Sequence, residues 1–347
     1  MSFSRVDGFR IAGVSTCVPP QVIDNIECGK DYGVDEVRKV VAMAGVRHRH
    51  IVEPGVTSAD LCFEAANTII ERINWTRDSI TGLILVTQTP DYFLPSSSCM
   101  LHKWLGLSDQ CAAFDVGLGC SGYPYGLYLA TTMLKAGGHQ RILMLHGETP
   151  SRFTSPDDHA TTLLFSDVGS ATAIELADPS VDAGFFCLQT DGQGHDALIL
   201  PGGGFRDRSP SNPRDLFLRM DGAGIFNFTI KRVPLLIRDT LAFADLTVED
   251  IDWFLFHQSN RFIMKHLAKK CGLPEQRVPL VLERFGNSGG ASIPLALTQG
   301  VPDIARDSCR VMTVGYGVGL SWGAAIVRLE ANVPRMHSIY TGTVARA

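Results

Sequence analysis

Cys120 lies within residues 114–134, FDVGLGCSGYPYGLYLATTML. The residue types and spacing of this stretch could support nucleophilic chemistry. Apolar residues alternate with small or polar ones from Phe114 to Leu118, and they recur at helical spacing after Gly122. The stretch predicts a buried strand, a tight turn that carries the cysteine, and a long apolar helix. The N-terminal end of a helix favours a thiolate over a thiol, and glycines allow a substrate to approach closely. Cys120 is therefore a candidate nucleophile, with a small buried core residue as the alternative.

The composition restricts the class of protein. With 347 residues, of which 45% are hydrophobic, the chain can bury the core of one large or two medium domains. A net charge of −5 argues against general nucleic-acid binding, and no run of eighteen apolar residues occurs. The nine cysteines form no CxxC pair, and the N-terminus lacks the pattern of a signal peptide. We expect a cytoplasmic protein with free thiols and without a metal, nucleic-acid or membrane partner.

The elements that must position Cys120 are predicted from hydrophobic periodicity and turn residues. Strands are predicted over 9–14, 82–86, 141–145 and 165–176, and helices over 35–44, 59–73 and 222–244. Residues 177–216 are predicted to be irregular, and residues 331–347 to form a tail beyond the last strand. Alternating strands and long helices favour an α/β architecture with helices that cover layered sheets.

The second part of the chain resembles the first. Three pairs of segments match in the same order: 80–89 with 251–260, 116–130 with 283–297, and 166–176 with 319–329. This indicates a duplicated α/β unit, whose equivalent strand ends should face each other across a pseudo-twofold axis. His257 and Asn287 would then lie near Cys120. An imidazole and an amide can both donate hydrogen bonds to a carbonyl oxygen that becomes an enolate, although each residue alone is more often structural.

Four motifs in order, GLGCSG, HQSN, GNSGG and GYGVGLSWG, resemble the beta-ketoacyl-ACP synthase III family of thiolase-fold condensing enzymes. The resemblance extends from Val6 to about Leu329. It implies a thiolase-like duplicated five-layer αβαβα fold, with a nucleophile half over 1–180, a His/Asn half over 181–330 and the tail over 331–347. It also implies a homodimer that needs no cofactor and uses thioesters of CoA or phosphopantetheine as substrates.

The resemblance assigns roles to the site residues. Cys120 would take an acyl group from an acyl-CoA or acyl-ACP, while His257 and Asn287 would bind malonyl-ACP or malonyl-CoA and assist its decarboxylation. The backbone N–H groups of Cys120 and Val318 would form the oxyanion hole. A set of side chains would bind the substrate or the acyl-carrier protein: Leu94, His159, Phe226, Arg261, Phe262, Lys269 and Lys270.

The binding residues also depart from the family pattern. Lys39 and Met43 occupy the positions of the tryptophan and arginine that hold the CoA adenine, and His159 replaces an arginine near the phosphates. Phe262 stands where an arginine is expected after HQSN, with Arg261 one position earlier. The pair Lys269–Lys270 matches the patch that docks the acidic carrier protein, with a solvated helix face as the alternative. Leu94 occupies the position that contacts the acyl chain from the dimer mate.

Other functions of thiolase-fold proteins require different residues. A degradative thiolase would need a second cysteine in GYGVGLSWG, and a relative of HMG-CoA synthase or of head-to-head condensing enzymes would need a glutamate near TQTPDY. Neither residue is present in those segments. A non-decarboxylative acyltransferase, with His257 as general base, and a non-catalytic partner subunit remain as alternatives.

Overall fold

The computed structural model describes residues 2–178, 183–304 and 307–347. Its strands are β1 (Ser2–Val6), β2 (Phe9–Val18), β3 (Val22–Asp24), β4 (His48–His50), β5 (Gly82–Val86), β6 (Ala112–Val116), β7 (Arg141–Glu148), β8 (Val168–Leu176), β9 (Gly184–Thr190), β10 (Leu198–Ile199), β11 (Arg219–Met220), β12 (Trp253–Phe256), β13 (Ser308–Gly317), β14 (Ser321–Glu330) and β15 (Arg335–Ile339). Its helices are α1 (Asn25–Cys28), α2 (Val34–Ala44), α3 (Ser58–Arg72), α4 (Ser97–Trp104), α5 (Gly122–Ala136), α6 (His159–Thr162), α7 (Gly222–Phe243), α8 (Arg261–Lys270), α9 (Leu282–Phe285) and α10 (Ser292–Gly300).

Two large mixed sheets carry the fold. The first has the strand order β15-β2-β8-β7-β5-β6, and the second has the order β1-β9-β14-β13-β12. The central strands are apolar because both faces of each sheet are covered; in GLILV of β5, every residue is buried. Two further pairs, β3 with β4 and β10 with β11, are short two-stranded ribbons.

Helices occupy three layers around the two sheets. Helices α5 and α10 contact strands of both sheets and therefore form the middle layer. Helix α3 covers the outer face of the first sheet, and α7 with α8 covers the outer face of the second. The result is the five-layer αβαβα arrangement that the family resemblance implies.

The duplication is visible in the strand pairing. In the first sheet β5 pairs parallel with β7, β7 antiparallel with β8, and β8 antiparallel with β2. In the second sheet β12, β13, β14 and β9 repeat this pattern of directions in the same order. The three segment pairs found in the sequence thus fall on β5 and β12, on α5 and α10, and on β8 and β14.

The structure differs from the sequence expectation at two places. Residues 177–216 contain β9, which lies inside the second sheet between β1 and β14. Residues 331–347 contain β15, which pairs in parallel with β2 and extends the first sheet. Each terminus thus supplies an edge strand to the sheet formed mainly by the other half. The expected boundary at residue 180 lies outside the described residues, so the division into two halves there stays a prediction.

Within the described ranges, no helix combines the length and apolar character needed to cross a membrane.

Candidate active site

Glycines bring the turn that carries Cys120 close to the second sheet. The turn follows β6 and ends at Ser121, which precedes the first residue of α5. A Cβ atom at Gly315 would lie 2.8 Å from the carbonyl oxygen of Cys120, and one at Gly317 would lie 2.9 Å from its Sγ. The Oγ atoms of Ser121 and Ser321 are 2.6 Å apart and join the turn to β14. Only glycine at these β13 positions permits this approach.

The thiol opens into a cavity with an empty volume of about 410 Å³. Its lining comes from both halves of the chain and is mostly apolar: Gln88, Gly119, Cys120, Glu148, Pro150, Phe153, Phe165, Leu198, Leu218, Gly289 and Val318. Cys120 and Val318, the two predicted oxyanion-hole residues, both line this cavity, and their role stays a prediction.

The protonation state of Cys120 differs from the sequence expectation. Burial raises the pKa of the Cys120 thiol to about 12, and the nearby carboxyl group of Glu148 adds to this effect. The backbone N–H groups of Val318 and of Cys120 itself act in the opposite direction but do not outweigh burial. The free thiol is therefore protonated at neutral pH, because removal from water costs a thiolate more than the helix terminus returns.

His257 directly follows β12 and is held by the loop before α10. Its Nδ1 lies 2.8 Å from the carbonyl oxygen of Gly289 and 3.1 Å from Oγ of Ser292. Since a carbonyl oxygen only accepts, Nδ1 carries the proton in this arrangement and Nε2 is a bare acceptor. Burial lowers the pKa of His257 to about 4, so the imidazole is neutral at pH 7. Donation from Nε2 requires the other tautomer, with the Ser292 hydroxyl donating to Nδ1.

Asn287 lies where the two halves meet. Its backbone N–H donates to the carbonyl oxygen of Leu164, and its own carbonyl oxygen accepts from the N–H of Ser166. Its Nδ2 donates to the carbonyl oxygen of Ser259 at 3.1 Å, and its Oδ1 accepts from the N–H of Gly289 at 3.0 Å. These bonds set the orientation of the amide and leave one Nδ2 hydrogen for a substrate.

Gly289 connects His257 and Asn287 and borders the cavity that Cys120 lines. Gly289 lines the cavity of Cys120, accepts from His257 and donates to Asn287. The amide of Asn287 is ready to donate to a carbonyl oxygen, whereas Nε2 of His257 is an acceptor when Nδ1 carries the proton. A neutral imidazole serves as a base in this tautomer and as a donor in the other.

The predicted binding residues lie elsewhere, and none of the seven lines this cavity. Leu94 is 78% exposed on the segment after β5, and Phe262 is 54% exposed at the start of α8. Phe262 stacks on Phe226, and His159 packs against Tyr32 with ring centroids 3.7 Å apart and ring planes tilted by 32°. Arg261 packs against Gly45, and its guanidinium lies 3.5 Å from the carboxylate of Glu283.

The two lysines of the predicted carrier patch end α8. Lys269 and Lys270 are both exposed, and Lys270 donates to the carbonyl oxygen of Ile230 at 2.7 Å. Their roles, like those of the other binding residues, stay predictions.

Sequence reasoning missed Glu148, the last residue of β7. Its Oε1 accepts from the N–H of Gln88 at 3.0 Å, and its Oε2 accepts from the hydroxyl of Thr89 at 3.2 Å. The segment TQTPDY contains no glutamate, but the fold places the Glu148 carboxyl against it. Burial raises the pKa of Glu148 to about 8. The signal available in the sequence was an acid in GETP, directly after a strand of buried apolar residues.

No group of three histidine, cysteine or acidic side chains that could hold a metal ion occurs in the part of the chain that the structure describes.

Comparison with known proteins identifies similar chains. The family model described as 3-oxoacyl-[acyl-carrier-protein (ACP)] synthase III matches residues 114–192, and the model for the C-terminal part of the same family matches residues 241–329. A Campylobacter jejuni protein, provisionally named 3-oxoacyl-[acyl-carrier-protein] synthase 3, is 32% identical, and the alignment covers 97% of this chain and 99% of that one.

Solved structures show the same likeness in three dimensions. A 3-oxoacyl-(acyl-carrier protein) synthase from Burkholderia xenovorans is 38% identical and superposes with a TM-score of 0.93, covering 97% of this chain and 99% of its own. The synthase III of Pseudomonas aeruginosa is 28% identical with a TM-score of 0.84, covering 94% of this chain and all of its own.

Proposed function

This chain belongs to the 3-oxoacyl-[acyl-carrier-protein] synthase III family of acyl-transferring condensing enzymes, and we propose that it condenses an acyl group held on Cys120 with a malonyl thioester. The observation that supports this most is the network through Gly289, because it links the nucleophile's cavity to both His257 and Asn287.

In the first step of the proposed reaction, the sulfur of Cys120 attacks the carbonyl carbon of an acyl thioester. A new S–C bond forms, the original thioester C–S bond breaks, and the proton of Cys120 ends on the leaving thiol. The backbone N–H groups of Cys120 and Val318 stabilise the oxyanion of the tetrahedral intermediate. Since the thiol pKa is high, this stabilisation must act in the transition state and not through a resting thiolate.

In the second step, the amide of Asn287 donates to the thioester carbonyl of the malonyl group. His257 donates to the same oxygen from Nε2 in its other neutral tautomer, in which the Ser292 hydroxyl donates to Nδ1. The bond to the malonyl carboxylate breaks, carbon dioxide leaves, and its electron pair forms the enolate. The enolate carbon attacks acyl-Cys120, the S–C bond breaks, and the released thiolate takes up a proton.

For delivery of the thioesters we propose an acyl-carrier protein that docks on α8. The helix sequence, RFIMKHLAKK, contains basic residues and no acidic ones, which suits an acidic partner. Exposed Leu94 supports the proposal of a homodimer in which this segment faces the partner. We also propose a cytoplasmic location, for which the free cysteines are the support.

Intact-mass spectrometry tests the first step. After incubation with a panel of acyl-CoA and acyl-ACP thioesters, one acyl group should be added to the protein, and Cys120→Ala should prevent this. Labelling of another cysteine in the variant, or an unmodified protein across the whole panel, would contradict the role of Cys120. The second outcome would favour a non-catalytic partner subunit.

Release of carbon dioxide from malonyl-ACP tests the second step. It should depend on His257 and Asn287. Light scattering that gives a monomer would contradict the proposed homodimer.

A second function, transfer of the acyl group to an alcohol or amine without decarboxylation, is favoured by one observation. With Nδ1 donating to Gly289, the bare Nε2 of His257 has the form of a general base. Formation of an ester or amide product without release of carbon dioxide would support this function over condensation.

A further inference from the structure

The cavity beside Cys120 contains one acidic side chain. Glu148 is 4% exposed and lines the same cavity as the nucleophile. Its two oxygens accept one hydrogen bond each, from Gln88 and Thr89. A carboxyl group offers about four acceptor positions when ionised and fewer when it carries its proton, so acceptor capacity remains beyond these two bonds.

No arginine or lysine within the described ranges forms an ion pair with Glu148. Its one ion-pair neighbour there is His146, whose Nε2 lies 3.9 Å from Oε1. Burial and the nearby His257 lower the pKa of His146 to about 3, so it supplies no positive charge at neutral pH. An acidic group that is buried without a cation is costly to a protein, which makes it a candidate functional group.

The remaining walls of the cavity separate into a polar and an apolar side. Gln88 adjoins Glu148 through its backbone, and its side-chain oxygen lies against Gly119, next to the nucleophile. The other walls are formed by Pro150, Phe153, Phe165, Leu198 and Leu218. A purely alkyl group on Cys120 would match the apolar walls and leave the Glu148 carboxyl facing carbon.

We propose that the acyl group accepted by this cavity carries a hydrogen-bond donor, a hydroxyl or an ammonium group, which Glu148 receives. This inference rests on the proposed function to the extent that the acyl group must be attached to Cys120. It makes Glu148 a specificity-determining residue, because a site built to bind a polar group discriminates against the analogue that lacks it.

The test uses three pantetheine thioesters of equal chain length: butanoyl, 3-hydroxybutanoyl and 3-aminobutanoyl. The rate of Cys120 acylation is measured for each by intact-mass spectrometry. At least one donor-bearing group should load about tenfold faster than butanoyl, the effect of one added hydrogen bond to an acidic group. The hydroxyl and amino compounds distinguish the two donor chemistries.

Two variants assign the preference to Glu148. Glu148→Leu should remove the preference and favour butanoyl, whereas Glu148→Gln keeps an acceptor and should retain a preference for a hydroxyl over an alkyl group. Glu64→Gln is the matched control: Glu64 is a second buried glutamate that accepts from the N–H of Thr341 but does not line the cavity. Its rate ratios should equal those of the wild type. A cooperative thermal unfolding transition followed by circular dichroism verifies that each variant has folded.

Equal or faster loading of butanoyl by the wild type would overturn the inference, and so would a donor preference that survives in Glu148→Leu. If no thioester acylates Cys120 at all, the proposed function itself fails, and the inference fails with it. Acylation with a donor preference, but without later release of carbon dioxide, would support the inference about Glu148. It would contradict only the proposed condensation step.

Discussion

Nδ1 of His257 lies 2.8 Å from the carbonyl oxygen of Gly289, whose own N–H donates to Oδ1 of Asn287. One backbone residue thus orients both side chains that are proposed to bind the malonyl carbonyl. Their positions are therefore coupled, and they should act as a unit on the same oxygen atom.

Replacement of either side chain should affect the second step and spare the first. His257→Ala and Asn287→Ala should each lower carbon dioxide release from malonyl-ACP by about 10²- to 10³-fold, the usual loss for one oxyanion donor. Acyl loading of Cys120 should stay within about threefold of the wild type, since the acylation oxyanion is bound by backbone N–H groups. His195→Ala, an exposed histidine, is the control and should change neither rate. A large loss of loading would instead assign these residues to the first step.

Gly317→Ala should impair the nucleophile. A Cβ at Gly317 would lie 2.7 Å from Cβ and 2.9 Å from Sγ of Cys120, so the thiol must shift. Because a misplacement of about 1 Å can cost about 100-fold, acyl loading should fall to that extent. Gly117→Ala is the matched control, since a Cβ there meets no atom within 4 Å. Equal loading rates for the two variants would show that the contact is relieved elsewhere.

The buried His146 should make the protein sensitive to acid. Its folded-state pKa of about 3 lies below the ordinary value of 6.5, so the unfolded chain binds the extra proton as the pH falls below 6.5. This one group should cost about 2 kcal/mol of stability at pH 5 relative to neutral pH. Urea unfolding at pH 7.5 and at pH 5 measures the free energy of unfolding that is lost on acidification. His146→Gln should lose about 2 kcal/mol less than the wild type. The same loss in both proteins would mean that His146 titrates normally.

The C-terminal residues should contribute to stability although they lie far from the site. The N–H of Thr341 donates to the carboxylate of Glu64 at 3.0 Å, Arg346 pairs with Asp60, and the N–H of Ala347 donates to the carbonyl oxygen of Trp104. Deletion of residues 341–347 should lower the free energy of unfolding by roughly 2–3 kcal/mol. Thr341→Ala keeps the backbone N–H but removes the hydroxyl that donates to Oε1 of Glu64 at 3.2 Å, so it should cost about 1 kcal/mol. A change below about 0.5 kcal/mol on deletion would show that these contacts exchange freely with water.

Local patterns in the sequence predicted much of the fold around Cys120. The strand, turn and helix of residues 114–134 are present because alternation, glycines and helical spacing follow one another within a short stretch. The expectation that this strand is buried is wrong, because β6 lies at the edge of the first sheet and none of its residues is fully buried. The internal matches also placed β5 and β12 correctly, since buried parallel strands are apolar without interruption. These signals depend on neighbours in the chain, which is why they could be read without the structure.

The elements that were missed depend on distant partners. Strand β15 forms because Arg335 pairs opposite Val14, and β9 forms between strands from both ends of the chain. The environment of Glu148 arises likewise, from residues 88–89, Gly289 and Cys120. The raised pKa of the Cys120 thiol has the same origin. Burial against the second half of the chain disfavours the thiolate more than the N-terminal end of α5 favours it.

Strand β1 belongs to the second sheet and β15 to the first, and this affects the order in which the two sheets are completed during synthesis. The first strand, β1, pairs with β9 and must wait until residue 184 and beyond have been synthesised. The second strand, β2, keeps one edge without its neighbour until residues 335–339 of β15 have been synthesised. An open sheet edge invites pairing with another chain, so the nascent polypeptide is exposed to misassembly at this edge until β15 is in place.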